Sequence, residues 1–482
     1  MLAFTAGLAE APARTALSAD VTPAPQPGAP WSAPVTLNPC PAGEAAQVVF
    51  PSDRPNHATG AGAIVWGDSA DCPDGDGARV AVLGAHDEPL TPATPRTAAG
   101  QPLAPLGALV ASGAPHGQIL IAGAAPGSAQ DALAIQGSAA GPFAALEPAG
   151  GASYPIALAT GYLGDVALAS PPAANRREAG AGGAGTAGSG TAGSGTAGSG
   201  TSEALAMHVE RFFAHSFVRN VSGPTATSAP MHALTLAMDF RSEVLAVWQQ
   251  GAALYARLVP NRGAPRSIQR LASVGSHVQI AAVLSDDERG IVAWSEQRGD
   301  ETSVYIDRSA PGVRFATPQL LGRFRDPDGL PAPAASPALV RLSSESVMLA
   351  WAGAAAGRWV VHTAPIDLNG VGDAGTIAAP GTDALLAHLA AGPEGDAIVL
   401  WTEPSPTAAG PPDMARQAIF AARGFDEYGA HGMFGAPEQV APPAPVSDAT
   451  VAIDPDNDRA IAVWRGEADA VEYSLRAVET VP

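Results

Sequence analysis

The chain of 482 residues contains no lysine; its 26 basic residues are all arginine. That absence excludes Schiff-base catalysis and phosphate-loop lysines. Aromatic residues make up only 5%, so alanine and the aliphatics must supply most of a core for which a 46% hydrophobic fraction leaves ample material. Positive charge is scarce too. The 46 acidic residues leave a net charge of −20, which repels nucleic acid and anionic membranes and disfavours both as partners. No apolar run reaches the roughly 18 residues of a membrane-spanning helix, so no span is expected. Only two cysteines occur, Cys40 and Cys72. Such a pair is two free thiols or one disulfide, depending on the compartment.

The segment Met1–Ala9 reads as the tail of a secretory signal, followed by the small-residue steps Ala9-Glu10-Ala11 and Ala11-Pro12-Ala13. Its basic n-region is missing, but the pattern points to export. Residues 1–30 are expected to be signal-like or disordered, and 31–482 to form one domain.

What the chain does have is a repeated phrase, an aliphatic run closing on tryptophan. It occurs at Ala63–Trp66, Val244–Trp248, Ile291–Trp294, Val347–Trp351, Ala397–Trp401 and Ala460–Trp464. The last four spacings are 46, 57, 50 and 63 residues, the length of one propeller blade. Residues 278–321 define the unit. Val278–Leu284 reads as an inner strand a and Gly290–Trp294 as b. Ser303–Arg308 alternates as c, and Phe315–Leu321 is the outer strand d.

The 182 residues between Trp66 and Trp248 are too many for one unit. Gln118–Ala122 and Asp165–Ala169 read as b strands without tryptophan. A tract at about 173–202 repeats Gly-Thr-Ala-Gly-Ser, has nothing to bury and is expected to be a flexible insertion. Without it, three ordinary steps remain.

The outer strands share aromatic-x-x-Pro-x-x-aliphatic at Phe315–Leu321 and Phe434–Val440, and the phrase recurs alone at Trp31–Leu37. The C-terminal unit has no such phrase of its own. The N-terminal strand is therefore expected to complete the last blade and close the ring. The count is eight blades of four strands, or seven if the region 105–170 is a single blade.

On these residues the chain resembles a bacterial β-propeller. The resemblance covers about residues 30–482 at the level of architecture and implies an all-β fold with a central channel and two loop faces. It matches no functional family: the recurrent Gly-His and Trp-Asp of WD40 repeats are absent, as is the sialidase Ser-x-Asp-x-Gly-x-x-Trp box.

In this layout Cys40 follows the orphan strand and Cys72 lies in the next b–c loop. Both fall on one face, so a disulfide is expected after export. Carboxylates two or three residues past the tryptophans would ring the b–c face, and the b–c loops hold the longest insertions. Glu296 and Glu403 are thus the expected ligand contacts. The tryptophans themselves read as packing between blades rather than as sugar platforms.

Asp454-Pro455-Asp456-Asn457-Asp458 starts like a calcium loop, but Arg459 and Arg465 stand where glycine and glutamate are needed, so it reads as an a–b turn. The ten histidines show no ligand spacing. No catalytic, metal or cofactor motif is found. The expectation is therefore an exported, extracytoplasmic, monomeric scaffold binding a protein or glycan through one loop face, without catalysis. The alternatives are a propeller enzyme acting on carbohydrate, glycosidase-like with paired carboxylates, and a structural spacer.

Overall fold

The computed structural model describes residues 30–476, except 101–106, 125–131, 146–156, 171–205, 221–228, 326–335, 378–382, 406–412, 425–433 and breaks of one to four residues. The N-terminal tail and the Gly/Ser/Thr/Ala tract expected to be flexible lie outside the described residues.

The fold is all-β. Among the described residues, seven sheets have four antiparallel strands and one has three, with a two-stranded ribbon beside them. The fifth sheet shows the build. Its strands are Ser276–Leu284, Gly290–Arg298, Glu301–Arg308 and Gln319–Arg325, paired in that order. The second strand is buried through its first seven residues. Both of its faces are covered by neighbouring sheets, which is why Gly290–Trp294 is continuously apolar rather than alternating.

The other sheets start at Gln47, Gly107, Ala157, Met231, Ala338, Leu385 and Ser447. The first strand of each sheet packs on the first strand of the next, and that of the eighth packs on that of the first. The second strands of the second and third sheets are Gln118–Ala124 and Val166–Ser170, where strands without tryptophan were expected.

The eighth sheet takes its outer strand from the other end of the chain. Val35–Asn38 pairs antiparallel with Val471–Leu475, Val35 opposite Tyr473 and Thr36 opposite Glu472. The aromatic-x-x-Pro phrase starts one step before each outer strand. Trp31, Phe315 and Phe434 each form an isolated bridge, to Arg476, Ser309 and Gly424. The regular strand begins only after the proline, at Val35, Gln319 and Glu438. Pro34, Pro318 and Pro437 thus sit outside the ladder, where a missing N–H removes no hydrogen bond.

Each strand-end tryptophan is buried, and the residue opposite it on the third strand decides how its ring is held. Opposite Trp248, Trp294, Trp351 and Trp401 stand Tyr255, Tyr305, His362 and Phe420. Each pair stacks, with centroids 5.2–6.0 Å apart. Opposite Trp464 stands Glu472, which accepts the indole N–H at 2.9 Å. Opposite Trp66 stands Arg79, whose guanidinium pairs with Asp68 while Asp68 accepts from Trp66 at 3.1 Å. These contacts confirm the packing reading of the tryptophans; aromatic pairs of this kind contribute about 0.5–1.5 kcal/mol beyond area burial.

Cys72 is buried, while Cys40 lies outside the described residues. No helix among the described residues is long and apolar enough to cross a membrane.

Candidate functional site

Glu296 and Glu403 stand on strands rather than in loops, because the second strands run on past tryptophan to Arg298 and Ser405. Both are buried, at 2% and 3% exposure. Glu296 accepts from the Gly275 amide at 2.7 Å and from Arg298 Nε at 2.9 Å. Glu403 accepts the Trp401 indole N–H at 2.9 Å. The pattern, a carboxylate two residues after tryptophan, places the acid on the same strand face as the ring. There it serves the interior. Ligand contact through either residue is a proposal that requires these internal bonds to be exchanged.

The opposite face, formed by a–b and c–d turns, also carries charged groups. Ion pairs there join successive sheets. Arg341 of the sixth sheet grips Asp286 of the fifth with both terminal nitrogens. Arg423 of the seventh meets Asp396 of its own sheet at 2.8 Å and Asp458 of the eighth. Asn457 of the eighth donates to Asp87 of the first at 2.9 Å. Asp454 leads its a–b turn, as its sequence suggests, and accepts from the Asp456 amide and Asn457, both at 2.8 Å.

On this face a cleft of about 320 Å³ opens between the fifth and sixth sheets. Its volume is at the lower end of the range for small-molecule sites. The floor is apolar: Ile291, Val347 and Ile366. The walls carry Arg289, Arg308, Asp287 and Asp367. Tight turns place these groups. Ser285 Oγ accepts from the Arg289 amide at 3.2 Å and donates to Asp287. Asp287 meets Arg289 Nε at 2.7 Å. Across the cleft Arg308 donates to the Asp367 carbonyl at 3.2 Å, and the Asp367 carboxylate accepts from the Gly370 amide at 2.9 Å. Two guanidiniums and two carboxylates thus surround an apolar floor. Such an arrangement can bind a ligand that has hydroxyls or anionic groups on its edge and C–H bonds on its face.

Two further groups are tuned by burial. Asp307, beside Arg308, is pushed up to about 6 by burial, against backbone hydrogen bonds and the nearby Arg308 charge that lower it. His388, on an inner strand, is pushed down to about 4 by burial. Its Nδ1 accepts from the Val451 amide at 3.4 Å and its Nε2 contacts Thr450 Oγ1 at 3.2 Å. Among the described residues no group of three or more His, Cys, Asp or Glu side chains is arranged for a metal.

The cleft was missed in the sequence because its residues belong to no local motif. Arg289, Arg308 and Asp367 come from three separate strand ends. The only signal is that Ser285–Arg289, Asp307–Pro311 and Ile366–Gly370 are polar turn segments on the same edge of adjacent blades.

No family model matches the chain, and no curated protein matches it significantly. Similar solved structures include a prolyl endopeptidase, 13% identical with a TM-score of 0.44, over 88% of this chain and 55% of that one. The chain therefore spans about half the length of that protein. An ulvan lyase is 11% identical with a TM-score of 0.40, over 79% of this chain and 92% of the lyase. The sialidase of Trypanosoma rangeli is 8% identical with a TM-score of 0.32, over 67% of this chain and 54% of the sialidase. The similar structures are mostly enzymes, including glycosidases, a lyase and a peptidase. These neighbours run against the expectation of a non-catalytic scaffold. At such identity the likeness speaks to the fold alone, so the site must be argued from this chain's own residues: the chain resembles a β-propeller.

Proposed function

We propose that the chain is a single closed propeller of eight blades and a carbohydrate-active enzyme, with its substrate in the cleft between the fifth and sixth sheets. The closed ring is supported by the packing of each inner strand on the next and of the eighth on the first. Pairing of Val35–Asn38 with Val471–Leu475 supports it further.

One observation carries the functional reading: Asp287, Asp367, Arg289 and Arg308 line one cleft together with the apolar Ile291, Val347 and Ile366. A sugar ring offers vicinal hydroxyls to such planar polar groups and a C–H face to Ile291 and Val347. Asp287 and Asp367, on opposite walls, take the two carboxylate roles of glycosidic bond cleavage, acid or base on one side and nucleophile or water activation on the other. Arg289 and Arg308 orient the substrate and favour one with a carboxylate or sulfate substituent.

The test is turnover of a panel of neutral and acidic polysaccharides and chromogenic glycosides. Asp287→Asn and Asp367→Asn should each lower kcat at least a hundredfold with unchanged circular dichroism, and Arg308→Ala should mainly raise KM. A wild-type chain that cleaves no member of the panel, or one whose activity survives both carboxylate changes, would overturn the assignment.

Export of the protein is proposed with this reading, and with it a Cys40–Cys72 disulfide. The burial of Cys72 and the absence of a free cysteine among the described residues support the pairing.

A further inference from the structure

The a–b turns use a leading side chain to close the backbone, and at Asp454 and Ser285 that group is fully engaged. Asp454 has a donor on each oxygen, the Asp456 amide on one and Asn457 on the other. Asp396 is met by Arg423 at 2.8 Å on Oδ2, while its Oδ1 has no hydrogen-bond partner. Ser285 donates to Asp287 and accepts from Arg289.

The fourth sheet departs from this pattern. In its turn Asp239–Glu243, Asp239 Oδ1 accepts from the Arg241 amide at 3.0 Å and the Glu243 amide at 2.8 Å. Asp239 Oδ2, Ser242 Oγ and Glu243 Oε2 have no hydrogen-bond partner. All three residues are deeply buried, with exposures of 0%, 1% and 9%. The turn is drawn tight by two backbone bonds, Asp239 N–H to Glu243 O and Ser242 N–H to Asp239 O, both 3.1 Å. Three unpartnered oxygens therefore lie within five residues of fixed backbone.

No guanidinium hydrogen-bonds to them, although the charges of Arg241 and Arg266 act on Glu243. Arg241 and Arg266 reach past them to Glu288, at 3.7 and 4.0 Å, and Arg341 is held by Asp286. Burying carboxylate oxygens without a bonded partner is costly, and a site of this kind is normally paired or occupied by a metal. A water molecule can satisfy the hydrogen bonds but brings no charge.

We infer that Asp239 Oδ2, Ser242 Oγ and Glu243 Oε2 are ligands of a hard divalent cation of the calcium class, with water completing its shell. Two carboxylates and a hydroxyl are hard oxygen donors, and a ligand set from one short turn suits calcium's irregular, flexible coordination better than magnesium's octahedron. The chain's net charge of −20 attracts cations in general.

Chain stripped with chelator and titrated calorimetrically with calcium chloride should bind one ion, with magnesium at least tenfold weaker. Terbium should bind the same turn, displaced by calcium. Glu243→Gln should weaken calcium binding at least tenfold; its carboxylate accepts no hydrogen bond among the described residues, so the fold should persist. Asp239→Asn should abolish binding, and Ser242→Ala should weaken it less. Absence of calcium uptake by the wild-type chain would leave water or a proton as the occupant and sink the inference. Uptake undiminished in Glu243→Gln, whether or not Asp239→Asn folds, would place the ion elsewhere.

Discussion

Trp31 and Arg476, 445 positions apart in the chain, form a β-bridge and share one carboxylate. Glu438 accepts the Trp31 indole N–H at 3.0 Å and two bonds from Arg476 at 2.9 Å. Trp31 and Arg476 are each 4% exposed, and Glu438 opens the outer strand of the seventh sheet. The join thus fastens the two ends of the chain to each other and to the preceding sheet. Trp31→Ala should cost about 3–5 kcal/mol, as large buried aromatics do. Glu438→Ala removes both of these bonds from the buried Arg476 guanidinium and should also lower stability. Deleting residues 30–38 should bare the edge of Val471–Leu475 and produce aggregation or a broad, non-cooperative melt. A deletion variant that melts sharply at the wild-type temperature would disprove closure through the N-terminal strand.

Glu296 and Glu403 test the b–c face directly. If their role is internal, Glu296→Ala frees the Gly275 amide and Arg298, and Glu403→Ala frees the buried Trp401 indole. Each should cost about 1–3 kcal/mol, read as a lower denaturant midpoint, with substrate KM unchanged in the remaining folded protein. The opposite result, a large loss of ligand affinity at full stability, would restore them as binding residues.

Much of the fold was legible in the sequence because one physical constraint recurs. A second strand covered on both faces must be apolar throughout and end on a ring large enough to fill the space between sheets, so Trp248, Trp294 and Trp401 mark their strands plainly. The alanine-rich strands at Gln118 and Val166 could be placed only by counting intervals. Strand length was not legible. Nothing in Ser295-Glu296 or Thr402-Glu403 distinguishes a loop from a strand that continues under a neighbouring sheet, and so two internal acids read as surface groups. The cleft of Arg289, Arg308 and Asp367 was hidden for another reason: its residues meet only through the pairing of two successive blades.

The tract at about 173–202 connects the second and third strands of its sheet, between Val166–Ser170 and Ala206–Arg211. Its composition gives it nothing to bury, so removing residues 178–200 shortens a connection at little free-energy cost. The melting temperature should move by no more than about 2 °C. A drop of ten degrees or more would mean that the tract packs on the sheets.

Among the groups that shape the pH dependence of stability, two make opposed contributions that variants can separate. Asp307 is raised from 3.8 to about 6 in the folded protein, chiefly by burial. Its contribution is fully present below about pH 4, where the acid is neutral in both states, and is lost as pH rises towards 6. His388 is lowered from 6.5 to about 4, again by burial. Its contribution is present above about pH 6.5 and is lost as pH falls towards 4, because the unfolded chain takes up the proton first. The two slopes overlap and partly cancel in the wild-type protein. Asp307→Asn should therefore leave a chain whose stability rises more steeply from pH 4 to 6. His388→Gln, which keeps a polar group near Thr450, should leave one whose stability falls over the same interval. Denaturant midpoints measured at half-unit steps from pH 4 to 7 would show the difference, and parallel curves for both variants and the wild type would show that neither group is shifted by its burial.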